Sequence, residues 1–253
     1  MTILIPHYRT ARRKSGGLLL TDLVAHWDLS EASGTRNDSH TNALHLTDNN
    51  TVGSSTGVDG VSTCASFDHT ASEYLSRADD VLLEPEDQHF VVNFWVRRTG
   101  ASGTFPGYVA KGNSGVSGGG WNIVTTSGSG DSQPVYFGAR LANNFNRALI
   151  TSVITESAST WYMYTLAHDP DANLIRLYRN GASLGTAVIT GGVYNSTSAL
   201  ELARLSGTHT SARMQSLSIW KGAGALTVLS HLTWLYNSGS AARLYADLQS
   251  YGG

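Results

Sequence analysis

From Leu23 onward the chain is cut into short apolar or alternating runs by clusters of turn-forming residues. The runs occupy residues 23–29, 43–46, 64–67, 90–96, 108–110, 121–125, 135–141, 148–154, 161–168, 174–179, 200–205 and 214–220. Each has the length of a β-strand and is too short for a helix. Between them lie Gly112-Asn113-Ser114-Gly115, Ser127-Gly128-Ser129-Gly130, Asp169-Pro170-Asp171 and Asn180-Gly181. The last supplies the two left-handed residues that a type I′ hairpin needs. The pattern predicts antiparallel meanders in one large all-β domain, a size that sandwiches reach without splitting. One helix is expected over about 227–237, capped by Thr227, with Val228, Leu229, Leu232 and Leu235 as its apolar stripe and Gly239 ending it.

Composition narrows the function classes. Only 14% of residues are charged and 27 of 253 are glycine, which suits a protein dense in turns. A net charge of -2 gives no field to hold a polyanion over the whole surface, so general nucleic-acid binding is not expected. The single cysteine, Cys64, lies beside Ala65 and Phe67 and reads as core packing. No apolar run approaches the roughly 20 residues that span a bilayer. The apolar stretch at Ile3 to Ile5 is also too short for a secretory signal, so neither membrane insertion nor export by that route is expected.

Residues 1–20 differ from the rest. They carry Arg9, Arg12, Arg13 and Lys14 with no acid before Asp22, and show no helical or strand period. They read as an extended N-terminal arm, with residues 21–253 as the folded domain. Such an arm would dock on another copy of the chain or on other subunits of a particle.

Several segments carry a family resemblance. The first is Leu23-Val24-Ala25-His26-Trp27-Asp28-Leu29, followed by Ser33-Gly34-Thr35 and Asp38-Ser39. Next come Ala65-Ser66-Phe67-Asp68 with Glu73-Tyr74-Leu75, then Phe94-Trp95-Val96-Arg97 and Val109-Ala110-Lys111-Gly112. Trp161-Tyr162-Met163 then leads through His168-Asp169 to Ile175-Arg176-Leu177-Tyr178-Arg179-Asn180-Gly181, and Leu217-Ser218-Ile219-Trp220 closes the series. In order and spacing these resemble the laminin-G-like jelly-roll family of the concanavalin A-like lectin/glucanase superfamily, over about residues 23–240. The resemblance implies a two-sheet antiparallel jelly-roll sandwich with one short C-terminal helix. Members of that family include glycan-binding modules, adhesion domains and parts of phage and bacterial surface proteins, and the fold alone does not choose among them.

No catalytic constellation is found. Related sandwich glycanases carry a Glu-x-Asp-x-x-Glu run whose alternation aims three carboxylates into one cleft, and this chain has none. Glu84, Glu86 and Asp87 surround Pro85 between strands, where solvated turn carboxylates are ordinary. Gly115-Val116-Ser117-Gly118-Gly119 fits a nucleophile elbow in letters only, because a strand and not a helix follows it. No histidine pair has zinc spacing. Calcium is the metal to consider, at Asp28, Glu31 and Asp38, because some members of the family bind it there or nearby. The same residues equally suit Asx turns, which need no ion.

Of six tryptophans, Trp27, Trp95, Trp161, Trp220 and Trp234 sit in apolar runs and read as core. Trp121 follows three glycines, and with Phe105, Tyr108, Phe145 and Tyr194 forms the candidate glycan surface. The competing reading of Trp121 is a packing anchor at the start of a strand. The expected function is that of a non-catalytic surface protein at a virion or particle surface, either a phage decoration or a tail-associated component. Its arm would anchor it and its sandwich would adhere to a cell-surface glycan. A free carbohydrate-binding lectin is the alternative. A glycoside hydrolase or lyase would need carboxylates drawn from separate strands.

Overall fold

The computed structural model describes residues 18–100, 106–125, 132–144 and 146–251. The first strands are β1 (Leu23–Trp27), β2 (Thr47–Asn49), β3 (Gly53–Thr56), β4 (Thr63–Phe67), β5 (Tyr74–Arg77) and β6 (Phe90–Arg98). They are followed by β7 (Gly107–Lys111), β8 (Trp121–Thr125), β9 (Ser132–Arg140), β10 (Arg147–Ser157), β11 (Trp161–Asp169) and β12 (Leu174–Arg179). The last are β13 (Ala182–Val188), β14 (Leu200–Leu202), β15 (Arg204–Leu205), β16 (Thr208–His209) and β17 (Ala212–Lys221), before helices α1 (Leu232–Tyr236) and α2 (Tyr245–Ser250). The first sheet runs β13-β12-β11-β6-β17-β4-β3, with β1 also on β17; the second runs β10-β9-β8-β7-β14-β5-β2. β15 and β16 make a separate small hairpin. This is the two-sheet antiparallel jelly roll that the sequence predicts.

Alternation along the strands fills two layers. From β6, Val92, Phe94 and Val96 meet Trp121, Ile123, Val135 and Phe137 of the second sheet in the inter-sheet core. Val91 and Trp95 point the other way, into a cluster with Met163, Trp220, Val228, Leu232, Leu235 and Leu248. The C-terminal helical segment thus covers the outer face of the first sheet. β6 is apolar on both faces because both are buried. Within it the buried Asn93 donates to Thr165 Oγ1 at 2.7 Å.

Local chemistry sets the turns. Asn180 and Gly181 sit at φ 53 and 82, the left-handed pair of a type I′ turn joining β12 to β13. With β6 along one edge, β17 serves two neighbours on the other, pairing with β4 through residues 212–214 and with β1 through 217–220. The changeover is a bulge at Ser216, where φ is 52 and the register shifts between Gln215 and Ser218.

The structure corrects the expected elements in three places. Residues 43–46 form no strand, because Asp38 Oδ2 takes the Leu44 amide at 2.9 Å and folds the segment into a turn. The helix expected from Thr227 begins as a 3-10 turn over Ala225–His231 without a side-chain cap, and α1 ends at Asn237 in the left-handed region, two residues before Gly239. α2 follows, its Asp247 carboxylate accepting from the Leu244 amide at 2.9 Å. Residues 1–17, including Arg9, Arg12, Arg13 and Lys14, lie outside the described residues. Leu19 is packed in the outer cluster, and its carbonyl accepts the Trp220 indole N–H at 2.7 Å. No helix of the described residues is long and apolar enough to cross a membrane.

Candidate functional site

The helical segment covers the first sheet, whereas the outer face of the second sheet carries an open depression. Trp121, Ile123, Val135 and Phe137 turn inward on β8 and β9. Asn122, Val124 and Tyr136 therefore turn outward, where Val124 packs with Ala110 and Leu205, and Tyr136 lies against them. Strand register lines up Leu149, Gly138, Asn122, Ala110 and Glu201 in one row across five strands. Gly138 keeps that row open to the neighbouring turn, since a Cβ there would lie 2.2 Å from Ser114 Oγ.

Two walls rise from this floor. One is the glycine-rich turn over 112–119. The other is the β15–β16 hairpin, seated where a Cβ on Gly107 would approach Arg204 O to 2.8 Å, and held by Thr210 Oγ1 donating to Gly107 O at 2.8 Å. Between them lies a depression of about 340 Å³ lined by Asn113, Ser114, Asn122, Val124, Tyr136, Arg147 and Leu149. It shares Asn113, Val116 and Leu205 with a second depression of about 380 Å³ that reaches Ser198, Glu201 and Arg204.

The lining suits recognition. Half-buried Asn113 and exposed Arg147 can exchange hydrogen bonds with sugar hydroxyls, while Val116 and Leu149, 52% and 38% exposed, offer apolar contact to ring C–H faces; Ser114 and Asn122 are buried beneath them and bonded to each other at 3.2 Å. Glu201 is the only carboxylate of the lining, and a glycosidase needs two. Burial pushes the Glu201 pKa up, against the pull of Arg204 at 2.8 Å. Arg204 in turn lies 4.4 Å above the Tyr74 ring, which fixes the hairpin's charge in place. Burial, then the Arg204 charge, lower the pKa of His209.

The residues singled out in the sequence are placed differently. Trp121 is 1% exposed, its indole N–H donates to Leu83 O at 3.4 Å, and its ring meets Phe90 at 5.5 Å. Tyr108 is fully buried and its hydroxyl donates to Glu156, another buried group. Burial raises the pKa of both, with the Glu156 charge raising that of Tyr108 further. Neither ring has a face for a sugar, so both are corrected to core. Tyr194 is half-buried outside both depressions, its amide donating to Arg140 O at 2.8 Å. Phe105 and Phe145 lie outside the described residues.

The three calcium candidates are each engaged locally. Asp38 Oδ1 accepts from the amides of His26 and His40 at 3.0 and 2.9 Å, and its Oδ2 from Leu44. Glu31 Oε1 accepts from the Asn37 amide at 2.7 Å. Burial works against the Asp28 charge, but bonds from His26 and the Tyr245 amide hold its carboxyl below the ordinary value. Among the described residues no three His, Cys, Asp or Glu side chains gather into a metal-holding group.

One arrangement has the letters of a catalytic triad. His26 Nδ1 lies 2.7 Å from Ser218 Oγ, and its Nε2 lies 2.8 Å from Asp28 Oδ1. His26 and Ser218 are 0% and 2% exposed, and the Tyr245 ring lies 5.8 Å from the imidazole. A substrate has no route to that hydroxyl. The trio continues the buried polar row Ser218–Asn93–Thr165 across the first sheet.

Two antiparallel sheets in this strand order define a concanavalin A-like jelly roll. The chain belongs to the Laminin_G_3 family, described as the concanavalin A-like lectin/glucanases superfamily, whose model matches residues 69–228. Among curated proteins no sequence matches. The fold is shared with the binding domain of Paraclostridial Mosquitocidal Protein 1, at 16% identity and TM-score 0.67, covering 86% of this chain and 52% of that one. A structure concerning the cell entry of botulinum neurotoxin type C, described as dependent on two ganglioside molecules, matches at 11% identity and TM-score 0.57, covering 86% and 51%. The chain therefore spans about half the length of these toxin chains. Domain 4 of AbnA, a GH43 extracellular arabinanase from Geobacillus stearothermophilus in complex with arabinotriose, matches at 17% identity and TM-score 0.55, covering 84% and 98%.

Proposed function

We propose that this chain is a non-catalytic carbohydrate-adhesive module whose glycan lies on the outer face of the second sheet. The observation that carries the reading is the depression between the 112–119 turn and the β15–β16 hairpin, with Asn122 and Tyr136 on its floor and Leu149 at its rim. The glycan and ganglioside named for the similar structures supports the ligand class. Tyr136→Ala and Leu149→Ala are expected to weaken the preferred oligosaccharide of a glycan array by about tenfold each, the loss of one stacking or apolar contact. Their melting temperatures should stay within a few degrees of the parent. Undiminished binding by both variants would remove this face from consideration.

A second reading concerns residues 1–20. Four cations without an acid before Asp22 favour an arm that anchors the module to a particle such as a phage virion, as a decoration or tail component. Several modules held side by side would turn weak glycan contacts into avid attachment. Particles assembled with chain lacking residues 1–17 should lack the protein, as read by gel analysis of purified particles. Normal incorporation would refute the anchor.

A further inference from the structure

Arg97 of β6 and Arg213 of β17 stand directly opposite each other in the first sheet. Their neighbours Val96 and Met214 point into the inter-sheet core, so both arginines point outward. Opposite residues on antiparallel strands hold their Cβ atoms about 4.5–5.5 Å apart, where like charges destabilise the sheet.

Several other guanidinium groups are neutralised or occupied. Arg176 meets Asp169 at 2.6 Å, Arg204 meets Glu201 at 2.8 Å, and Arg36 donates to the carbonyls of Gly34, Val52 and Gly53. Arg97 and Arg213 have no such partner. Both are half-buried, and neither has an ion pair among the described residues. Their field reaches the buried Cys64 thiol, whose pKa burial pushes up to about 11 while Arg213 and Arg97 pull it down.

The pair adjoins an open depression of about 390 Å³ in which Arg213 is joined by Ser66, Thr99, His69 and Ser211. Ser66 is the cross-strand neighbour of Arg213 on β4, and the Thr99 amide donates to Ser211 O at 3.1 Å, extending the same ladder. His69 Nδ1 lies 2.7 Å from Ser211 Oγ. The one carboxylate of this lining, Asp68, is exposed and accepts from the Thr70 amide and hydroxyl, both at 2.8 Å.

We propose that Arg97 and Arg213 form a binding site for a sulfate ester of an acidic polysaccharide, on the face opposite the glycan depression. Two adjacent guanidinium forks match the oxygens of a tetrahedral anion, and an anion between them relieves their repulsion. The hydroxyls of Ser66, Thr99 and Ser211 suit the sugar that carries the ester. A membrane phosphate is the less favoured source, because headgroup binding draws on clusters of about 4–8 cations and this patch has two arginines on a chain of net charge -2. The site does not depend on the neutral-glycan reading of the second sheet.

The test titrates the full chain with a heparin-derived octasaccharide, its chemically desulfated counterpart, and phosphatidylcholine vesicles containing phosphatidylinositol 4-phosphate. The sulfated octasaccharide should bind with an affinity that falls as salt rises, and the desulfated one should not. Arg97→Gln and Arg213→Gln should each weaken it by about tenfold, the loss of one charge-assisted contact. Tyr136→Ala should leave this binding unchanged, which separates the two faces. The ligand-free Gln variants should melt no lower than the parent, since a repulsion has been removed, and Arg213→Lys should recover part of the affinity. No binding of the octasaccharide, equal binding of the desulfated form, tighter binding to the vesicles, or Gln variants that bind undiminished would each overturn the proposal.

Discussion

Lys111→Met is expected to destabilise the fold by about 3–5 kcal/mol, the cost of leaving a buried charge without its partner. Lys111 is fully buried at the end of β7. Its ammonium lies 2.5 Å from Asp79, 3.0 Å from Glu84, and 2.5 and 2.6 Å from the carbonyls of Ser196 and Ser198. One cation thus ties the segment after β5 and the segment before β14 to the base of the 112–119 turn. The two carboxylates would respond differently to its loss. Asp79, 42% exposed, can turn to water; Glu84, 3% exposed, cannot. Burial already raises the Glu84 pKa, and Lys111 is what opposes that rise. In the variant the folded-state value climbs further above the unfolded one. Glu84 then stabilises the fold fully below the unfolded value, and that contribution is lost as pH rises through the folded value. The deficit measured by urea unfolding should therefore be larger at pH 8 than at pH 5. Lys111→Met combined with Glu84→Gln should recover part of it. A deficit under about 1 kcal/mol, the scale of a solvated ion pair, would show that the cage is open to water.

Fold and site were legible in the sequence to different degrees. Strands that bury both faces, such as β6, announce themselves as apolar runs, and Asn180-Gly181 announces its hairpin by the φ values it alone tolerates cheaply. β13 gives no apolar run because it is largely exposed and has Gly185 inside it, and 43–46 has the letters of a strand because the Asp38 carboxylate that folds it lies outside the run. For the site, strand parity held information that composition did not. On β8 and β9, Asn122 and Tyr136 sit between core residues and so must face out. Parity also puts Trp121 inward with Ile123, against the impression left by the three preceding glycines. Tyr108 escapes that logic. A register shift between Gly107 and Val109 lets Tyr108 and Val109 both face the core, and a bulge is not visible in the alternation of a five-residue strand. Arg97 and Arg213 lie more than a hundred positions apart, and only the pairing of β6 with β17 brings them together.

The placement of Trp121 leads to the second large effect. Trp121→Ala should cost about 3–5 kcal/mol, because a fully buried indole leaves a cavity that its neighbours fill only in part. The cavity would open beside Phe90 and Leu83, both 2% exposed or less, and would orphan the Leu83 carbonyl that now accepts the indole N–H. Trp121→Phe keeps most of the ring volume and should lose markedly less. Binding separates this role from a glycan platform. Trp121 and Asn122 are neighbours in the chain but face opposite sides of β8, so the core and the floor of the depression are only one residue apart. A folded Trp121→Phe variant should bind glycan within about twofold of the parent, whereas Tyr136→Ala should lose affinity with little loss of stability. An alanine variant at 121 that melts at the parent temperature yet no longer binds would place the indole on the surface. That result would undo the inward parity of β8, and with it the outward-facing floor on which the glycan reading rests.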